Sequence, residues 1–155
     1  MSRSLLSIYG RPDAYYLVPH AQTTSGVWLL DGSPAVVVAV DASPEDLGRA
    51  VSRAIAQDGP RVPHPSQQEW TSSQKERRAA LFQQAGVRSW RSFERGSALV
   101  SVEREGETTT VTPLRRDNAR PDAWSDDTQR AVHLEAPGEV ALGRAVIEVL
   151  DSSRS

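Results

Sequence analysis

The pentapeptide Leu47-Gly48-Arg49-Ala50-Val51 decides the expected fold, because the same five residues return as Leu142-Gly143-Arg144-Ala145-Val146. Each copy opens a run in which apolar residues recur at intervals of three and four, which is typical of a helix with one apolar face. Each copy also follows a strand-like apolar run, an acidic residue and a proline. The sequence therefore predicts two repeated units, over about 5–57 and 98–150, with a helical connector at 58–97.

Length and composition limit the classes of protein to consider. A chain of 155 residues is long enough for one domain with its own core, so we expect a single domain over 1–155. The net charge of −2 and the charged fraction of 25% argue against disorder and against a strongly basic nucleic-acid binder. There is no cysteine to form disulfides or to bind a metal, and no apolar run long enough for a signal peptide or a membrane span. A cytoplasmic protein is expected.

The first unit reads as strands followed by a helix. Residues 5–9 and 14–18 are rich in aromatic and branched side chains on either side of a turn, which indicates two short strands. Residues 27–30 and 35–40 flank Asp31-Gly32, which predicts a β-hairpin. The unbroken apolar run at 35–40 predicts a central strand covered on both faces. Ser43 and Pro44 are favoured residues for the start of a helix over about 44–57.

The connector contains a proline-rich segment and then a helix. Residues 58–72 are expected to run over the surface without regular structure, because prolines interrupt both helices and central strands. Ser73 and Glu76 have the spacing of a capping box, and Gly86 is a typical helix-ending residue, so a helix is predicted over about 74–85. Trp90 and Phe93 lie three residues apart, which fits a short helical turn in the core.

The second unit repeats the order of the first. Residues 98–104 and 108–112 are predicted to pair across a turn at Glu105-Gly106, with Val100 opposite Val111 and Val102 opposite Thr109. One face of this hairpin should be apolar and the other solvated. A last strand at 131–134 and a helix at 139–150 complete the unit. The fold class expected is α+β, with an antiparallel or mixed sheet, three main helices and two pseudo-repeated strand-strand-helix units.

Motifs of catalysis are absent from the sequence. There is no phosphate-binding glycine loop, no Gly-x-Ser-x-Gly and no His-Glu-x-x-His. His20, His64 and His133 lie far apart in the sequence, so we predict no catalytic residue, no metal site and no cofactor. A small histidine-dependent hydrolase or nuclease remains the alternative, should folding bring two histidines together as general acid and base. Gly48 and Gly143 are interpreted as sites of close helix packing.

A candidate partner-binding surface lies in the segment 115–130, which has no periodicity and is long for a connection. Trp124 is surrounded in sequence by Asp122, Asp126 and Asp127, and an aromatic side chain among carboxylates suits an anchor for a basic partner. The alternative is a tryptophan that packs against its own loop. Glu103 and Glu105 extend the same acidic surface or, alternatively, form an ordinary solvated edge.

Five stretches carry a pattern known from one protein family. They are 9–19 (YGRPDAYYLVP), 23–28 (TTSGVW), 42–48 (ASPEDLG), 62–65 (VPHP) and 86–93 (GVRSWRSF). Together they resemble the immunity proteins of bacterial contact-dependent growth inhibition systems, and the resemblance covers most of the chain outside 115–130. The resemblance implies a small cytoplasmic protein that binds and blocks the toxic C-terminal domain of an effector, without cofactor or turnover.

The resemblance also implies the kind of partner. The partner would be the cognate toxin domain of a secreted or surface effector, with no direct contact to nucleic acid or membrane. Many such toxins bind nucleic acid through basic clefts, which an acidic surface could occupy with fast, electrostatically steered association. A further alternative is an adaptor or chaperone for a secreted protein.

Overall fold

The computed structural model of the chain describes residues 3–22, 28–30, 35–55, 66–116 and 124–153. These residues form eight strands, four helices and one 3₁₀ turn, Thr128–Arg130. The strands are β1 (Arg3–Gly10), β2 (Ala14–Gln22), β3 (Trp28–Leu30), β4 (Val36–Ala39), β5 (Ala98–Glu105), β6 (Thr108–Arg116), β7 (Trp124–Asp126) and β8 (Val132–Glu135). The helices are α1 (Pro44–Ile55), α2 (Gln67–Ala85), α3 (Trp90–Glu94) and α4 (Glu139–Ser153). The predicted α+β class is confirmed.

Two helix starts illustrate how local signals compete. α1 begins at Pro44 as predicted, and the Asp46 backbone N–H donates to the Ser43 hydroxyl. The predicted start of α2 at residue 74 is wrong, because the helix begins at Gln67 and the Ser66 hydroxyl accepts from the Glu69 N–H. Ser66 and Glu69 have the same spacing as the predicted capping box and stand directly after Pro65, so the earlier signal prevails. Residues 67–72 are therefore helical, and residues 56–65 lie outside the described part.

The sheet is antiparallel throughout its described pairs and has the order β3-β2-β1-β5-β6-β7. β4 pairs with β2 and β8 pairs with β6, so each of these long strands carries two short strands along its outer edge. The predicted hairpin between 27–30 and 35–40 is therefore wrong, since β3 and β4 both pair with β2. β2 has nine residues, enough edge for both neighbours, and residues 31–34 lie outside the described part.

The prediction for residues 35–40 is also wrong. β4 lies at the edge of the described sheet, with Val36 42% exposed and Val37 49% exposed. Within β4 only Val38 is half-buried against the core, while Ala35, just before the strand, is buried on the opposite face. An apolar run alone does not distinguish a covered central strand from an apolar edge, because that depends on which other segments reach it.

The β5–β6 hairpin has a register that differs from the predicted one by two residues. Val102 lies opposite Val111 and Glu103 opposite Thr110, so the turn consists of Gly106 and Glu107. Gly106 has a φ of 61°, the left-handed conformation that a tight hairpin favours at this position. The predicted apolar and polar faces survive, because a shift of two residues keeps every side chain on its own face.

Residues 115–130 are more regular than predicted. Arg115 and Arg116 extend β6, residues 124–126 form β7, and a 3₁₀ turn follows. Residues 117–123 lie outside the described part. The absence of periodicity did not exclude structure here, because a three-residue strand is too short to show a period.

The two predicted units share one pairing scheme. In the first, Leu17 lies opposite both Ile8 and Val36; in the second, Val111 lies opposite both Val102 and Val132. The two units meet where β1 pairs with β5, and Ser7 lies opposite Ser101 at the centre of that pairing. This gives the sheet an approximate twofold relation about the Ser7–Ser101 pair.

The core lies between the sheet and the two repeated helices. α1 and α4 cross where Gly48 approaches the Glu139 carbonyl and Gly143 approaches the Pro44 carbonyl. A methyl group at either glycine would overlap these carbonyl oxygens, so the predicted role of both glycines in close packing is confirmed. Fully buried members of this core come from both units: Leu6, Ile8, Leu17, Leu47, Val51, Val100, Val102, Val111, Val146 and Leu150.

Among the described elements, helices cover the opposite face of the sheet over the first unit only. Phe93 of α3 and Leu81 of α2 pack there against Tyr16, Val18 and neighbouring apolar residues. Phe93 is fully buried, and its ring meets the Tyr9 ring edge-on at a centroid distance of 4.8 Å. The predicted core role of Phe93 is confirmed, whereas the Trp90 side chain lies outside what the structure describes.

Candidate partner-binding surface

We call the outer side of the second unit the open face and define it by Ser101, Glu103, Thr108, Thr110, Thr112 and His133. Alternation along β5, β6 and β8 places these residues opposite the core, since Val102, Val111 and Val132 point to α4. No helix among the described elements packs on this face. Most of its residues are half-buried, His133 is exposed, and Thr112 is buried.

The first unit shows what the same positions do when a helix covers them. The shared pairing scheme makes Tyr9 equivalent to Glu103 and Tyr16 equivalent to Thr110. It likewise makes Ala14 and Val18 equivalent to Thr108 and Thr112. Each apolar residue beneath α2 and α3 is thus matched by a polar or acidic residue on the open face. Apolar positions are covered within the chain, and polar positions are left to solvent or to a partner.

Three of the predicted acidic residues, Glu103, Glu105 and Asp126, lie on this side of the sheet but do not form one tight cluster. Glu103 is half-buried near the middle, and Glu105 is exposed two residues further along β5. Asp126 is exposed on β7 opposite Leu114, about 13 Å along β6 from Thr110 at the usual rise per residue. Glu135, which the sequence did not single out, is exposed on β8 and accepts a hydrogen bond from Thr108 at 2.8 Å.

The other three predicted residues, Asp122, Trp124 and Asp127, do not lie on the open face or are not fully described. Asp127 faces Arg115, with 2.9 Å between its Oδ2 and the arginine Nε, and its backbone N–H donates to the Pro113 carbonyl. This carboxylate therefore has an ion-pair partner within the chain. Trp124 opens β7 opposite Arg116, and nothing is described of its side chain. Asp122 lies outside the described residues.

The histidines do not form a common site where the structure describes them. His20 and His133 occupy the same row across the sheet, with Leu5, Glu103 and Thr110 between them. Four strand spacings separate them by about 19 Å, beyond the reach of acid–base chemistry on one substrate. His20 Nε2 lies 2.8 Å from the Ser7 hydroxyl, and His133 Nδ1 lies 3.1 Å from the Thr110 hydroxyl. His64 lies outside the described residues.

Ser7 and His20 have the separation of a nucleophile and its base, but their surroundings do not suit acyl transfer. Ser7 sits in the centre of the sheet, where β1 is paired on both sides. Backbone N–H groups in these ladders are not available as an oxyanion hole. The pair is best explained as a cross-strand hydrogen bond.

Sequence reasoning missed a cluster around Arg11 that fastens α3 to the first unit. The Arg11 guanidinium donates to the Phe93 and Ser92 carbonyls, lies 4.9 Å from the Phe93 ring centroid and pairs with Asp13 at 3.1 Å. The Tyr16 hydroxyl donates to Asp13 at 2.7 Å. Two of the stretches that carry the family resemblance, 9–19 and 86–93, meet here. This contact could not be predicted from the sequence, because some eighty residues separate Arg11 from Phe93.

The electrostatics of this cluster follow from its contacts. Burial opposes ionisation of Asp13, but the hydrogen bonds from Tyr16 and Arg11 outweigh it and lower the pKa of the carboxyl group. Burial and the same hydrogen bond raise the pKa of Tyr16. Burial, with Glu94 nearby, raises the pKa of Tyr9 well above its usual value. Both tyrosines therefore stay neutral and pack as part of the core.

Two other kinds of feature are absent from the described residues. None of the described helices is both long and apolar enough to cross a membrane. Within the same part of the chain, no three His, Asp or Glu side chains are grouped so that they could hold a metal ion.

Comparison with known proteins shows a fold that has been seen before. The sequence matches no protein-family model and no curated protein sequence. The structure is similar to a protein of unknown function, NMB0488 from Neisseria meningitidis, with a TM-score of 0.79 and 16% identity over 99% of this chain and 96% of that chain. It is also similar to a chain of the CdiA-CT/CdiI toxin and immunity complex from Yersinia pseudotuberculosis, with a TM-score of 0.76 and 14% identity over 100% and 99% of the two chains. At such identities the likeness shows the fold, which resembles that of a CdiI immunity protein.

Proposed function

We propose that this chain is an immunity protein that binds the C-terminal toxin domain of a contact-dependent growth inhibition effector and neutralises it in a stoichiometric complex. The main support is the likeness in fold to the toxin and immunity complex, which extends over the whole length of both chains. Five stretches of sequence that resemble such immunity proteins agree with it. In this proposal the protein acts in the cytoplasm, needs no cofactor and catalyses no reaction.

The proposed toxin-binding residues are the acidic ones of the second unit together with Trp124. Asp126, Glu103 and Glu105 share one side of the sheet, and alternation places position 124 on that side as well. Asp122 and Asp127 belong to the proposal as sequence neighbours of Trp124, although Asp127 also holds Arg115. Acidic groups on a binding surface attract a basic partner and speed its association.

The proposal predicts that a neighbouring gene encodes a secreted effector, and the C-terminal domain of that effector is the probe for the test. The C-terminal domain of the neighbouring secreted effector would be expressed in a sensitive host with and without this chain. We expect growth to be restored only when both are present, and the purified proteins to elute together as a 1:1 complex. Continued growth arrest together with separate elution would refute the proposal.

The same experiment separates the alternatives. An adaptor or chaperone would raise the amount of soluble effector without abolishing its toxicity, whereas an immunity protein removes toxicity at equimolar amounts. A hydrolase would protect at amounts far below those of the toxin, because it turns over. Protection that falls off once toxin exceeds this chain therefore supports stoichiometric binding.

The acidic surface has a test of its own. The double variant Trp124→Ala, Asp126→Ala is expected to bind the toxin domain about tenfold more weakly than the parent, because aromatic anchors carry much of an interface's free energy. Isothermal titration calorimetry measures this directly. A double variant with the parent's affinity and full protection of cells would remove these two residues from the interface.

A further inference from the structure

The open face occupies the position that the chain's own helices fill on the first unit. There, α2 and α3 pack on Tyr9, Ala14, Tyr16 and Val18. The helix residues that make this contact are apolar: Phe93 is fully buried and Leu81 is 4% exposed. On the second unit the equivalent residues are Glu103, Thr108, Thr110 and Thr112. The strand pairing is the same in both units, so the open face is a sheet surface of the kind that α2 and α3 cover on the first unit.

We infer that the open face is a docking surface for a separate protein that presents basic side chains, and that Glu103 is the centre of the contact. Since the proposed function supplies that protein, the inference rests on it and identifies the occupant as a basic surface of the toxin domain. A polar face suits a partner that binds and dissociates, because it remains soluble when it is uncovered. An apolar one would need a permanent cover, as the first unit has.

The charges of the described residues favour a cationic occupant. Glu103 lies in the middle of the face, while Glu105 and Glu135 flank it as exposed residues on β5 and β8. The hydroxyl-bearing residues between them, Thr110 and Ser101, add hydrogen-bond acceptors. The positions of Arg3 and Arg116 also fall on this side, but at its two ends, opposite Glu105 and Trp124. The centre is therefore acidic.

The residues around Glu103 indicate which side chain of the partner would bind there. Thr110 stands opposite Glu103 on β6, and the Thr110 hydroxyl is in contact with His133. An arginine that reached Glu103 would find Thr110 one strand spacing away on the same row and His133 two spacings away. Arginine suits such a place because its planar group donates several hydrogen bonds at once. The desolvation of Glu103 by the partner strengthens each of these bonds.

The inference is tested by charge reversal in the full chain, with the toxin domain of the neighbouring effector as the probe. We expect Glu103→Arg to weaken binding by about thirtyfold or more, in the range found when one member of a buried charge pair is lost. The matched control is Glu148→Arg, which makes the same change at an exposed position of α4 on the other side of the sheet. The control should bind within about twofold of the parent, because its charge lies away from the docking surface.

Two further variants keep the test decisive should Glu103→Arg unfold. Glu103→Gln keeps the size of the side chain and should weaken binding about tenfold, and Thr110→Lys places a positive charge on the same row. Thermal unfolding confirms that each variant is folded before titration. If the parent binds the toxin domain and these folded variants bind equally well, the docking surface lies elsewhere while the immunity function stands. If the parent itself neither binds nor protects, both the proposed function and this inference are refuted.

Discussion

The two units of this protein have one backbone plan and two surface chemistries. Both place a long inner strand beside a second strand that carries two short edge strands, and both close with a helix that contains Leu-Gly-Arg-Ala-Val. Tyr9 and Tyr16 of the first unit nevertheless correspond to Glu103 and Thr110 of the second. The two halves of the sheet share their buried side, and they differ in whether the described helices also cover the outer side.

The edge strands differ in the same way. β4 exposes Val36 and Val37 at one edge of the sheet, whereas its counterpart β8 alternates between half-buried apolar residues and exposed polar ones. A polar edge discourages the addition of further strands, and an apolar edge does not. The two edges therefore differ in their protection although their strands occupy equivalent places.

The largest expected effect tests the covered face. Phe93→Ala removes a fully buried ring that contacts Tyr9, Tyr16 and Phe82, so we expect a loss of about 3–5 kcal/mol in the free energy of unfolding. On the open face, Thr110→Ala should change it by no more than about 0.5–1 kcal/mol. Urea unfolding of both variants measures the difference. Similar losses from the two substitutions would contradict the distinction between a covered and an open face.

The next effect tests the equivalence of the two helices. Gly48→Ala and Gly143→Ala each bring a methyl group onto the carbonyl of the opposite helix, and forced separation should cost about 1–3 kcal/mol in either case. The double variant should cost less than the two single losses together, because one separation relieves both overlaps. Gly138→Ala is the control, since no heavy atom lies within 4 Å of its added methyl group. Urea unfolding measures all four variants, and clearly unequal single losses would mean that the crossing is not symmetric.

The helices and the strands differ in how far the sequence could predict them. The repeated pentapeptide identified α1, α4 and the glycine contact, because helix periodicity and a small residue are local signals. The positions of β3 and β4 beside β2 could not be read, since pairing depends on which distant edge is free. The register of β5 and β6 was missed because Glu105-Gly106 and Gly106-Glu107 are both plausible turns, and only the full ladder decides between them.

The candidate site was predictable in composition and not in geometry. The acidic residues of β5 and Asp126 were singled out from their types and neighbours, yet their common side of the sheet follows from the pairing of Glu103 with Thr110 and of Leu114 with Asp126. Asp127 looked equivalent to Asp126 in the sequence, but adjacent residues of an extended segment point to opposite sides, and Asp127 meets Arg115. The Arg11 cluster gave no local signal, because its partners come from α3.

The smallest expected effect concerns the turn that fastens α3 to the first unit. Asp13 accepts hydrogen bonds from Tyr16 and Arg11, and its side chain is 51% exposed, so Asp13→Asn should lower the free energy of unfolding at pH 7 by only about 1 kcal/mol or less. At the matching turn position of the second unit, Glu107 is exposed, and Glu107→Gln should stay within about 0.5 kcal/mol of the parent.

The pH dependence of this loss identifies its cause. Because folding lowers the pKa of Asp13, its carboxylate contributes stability above the unfolded-state pKa of about 3.9, and that contribution disappears as the pH falls through the lower folded-state value. The parent and Asp13→Asn should therefore differ most between pH 5 and 7 and converge once the pH lies below the folded-state pKa of Asp13. Urea unfolding at pH values across this range measures the convergence. A difference that stays constant down to the lowest pH would show that Asp13 acts through its shape in the turn and not through its charge.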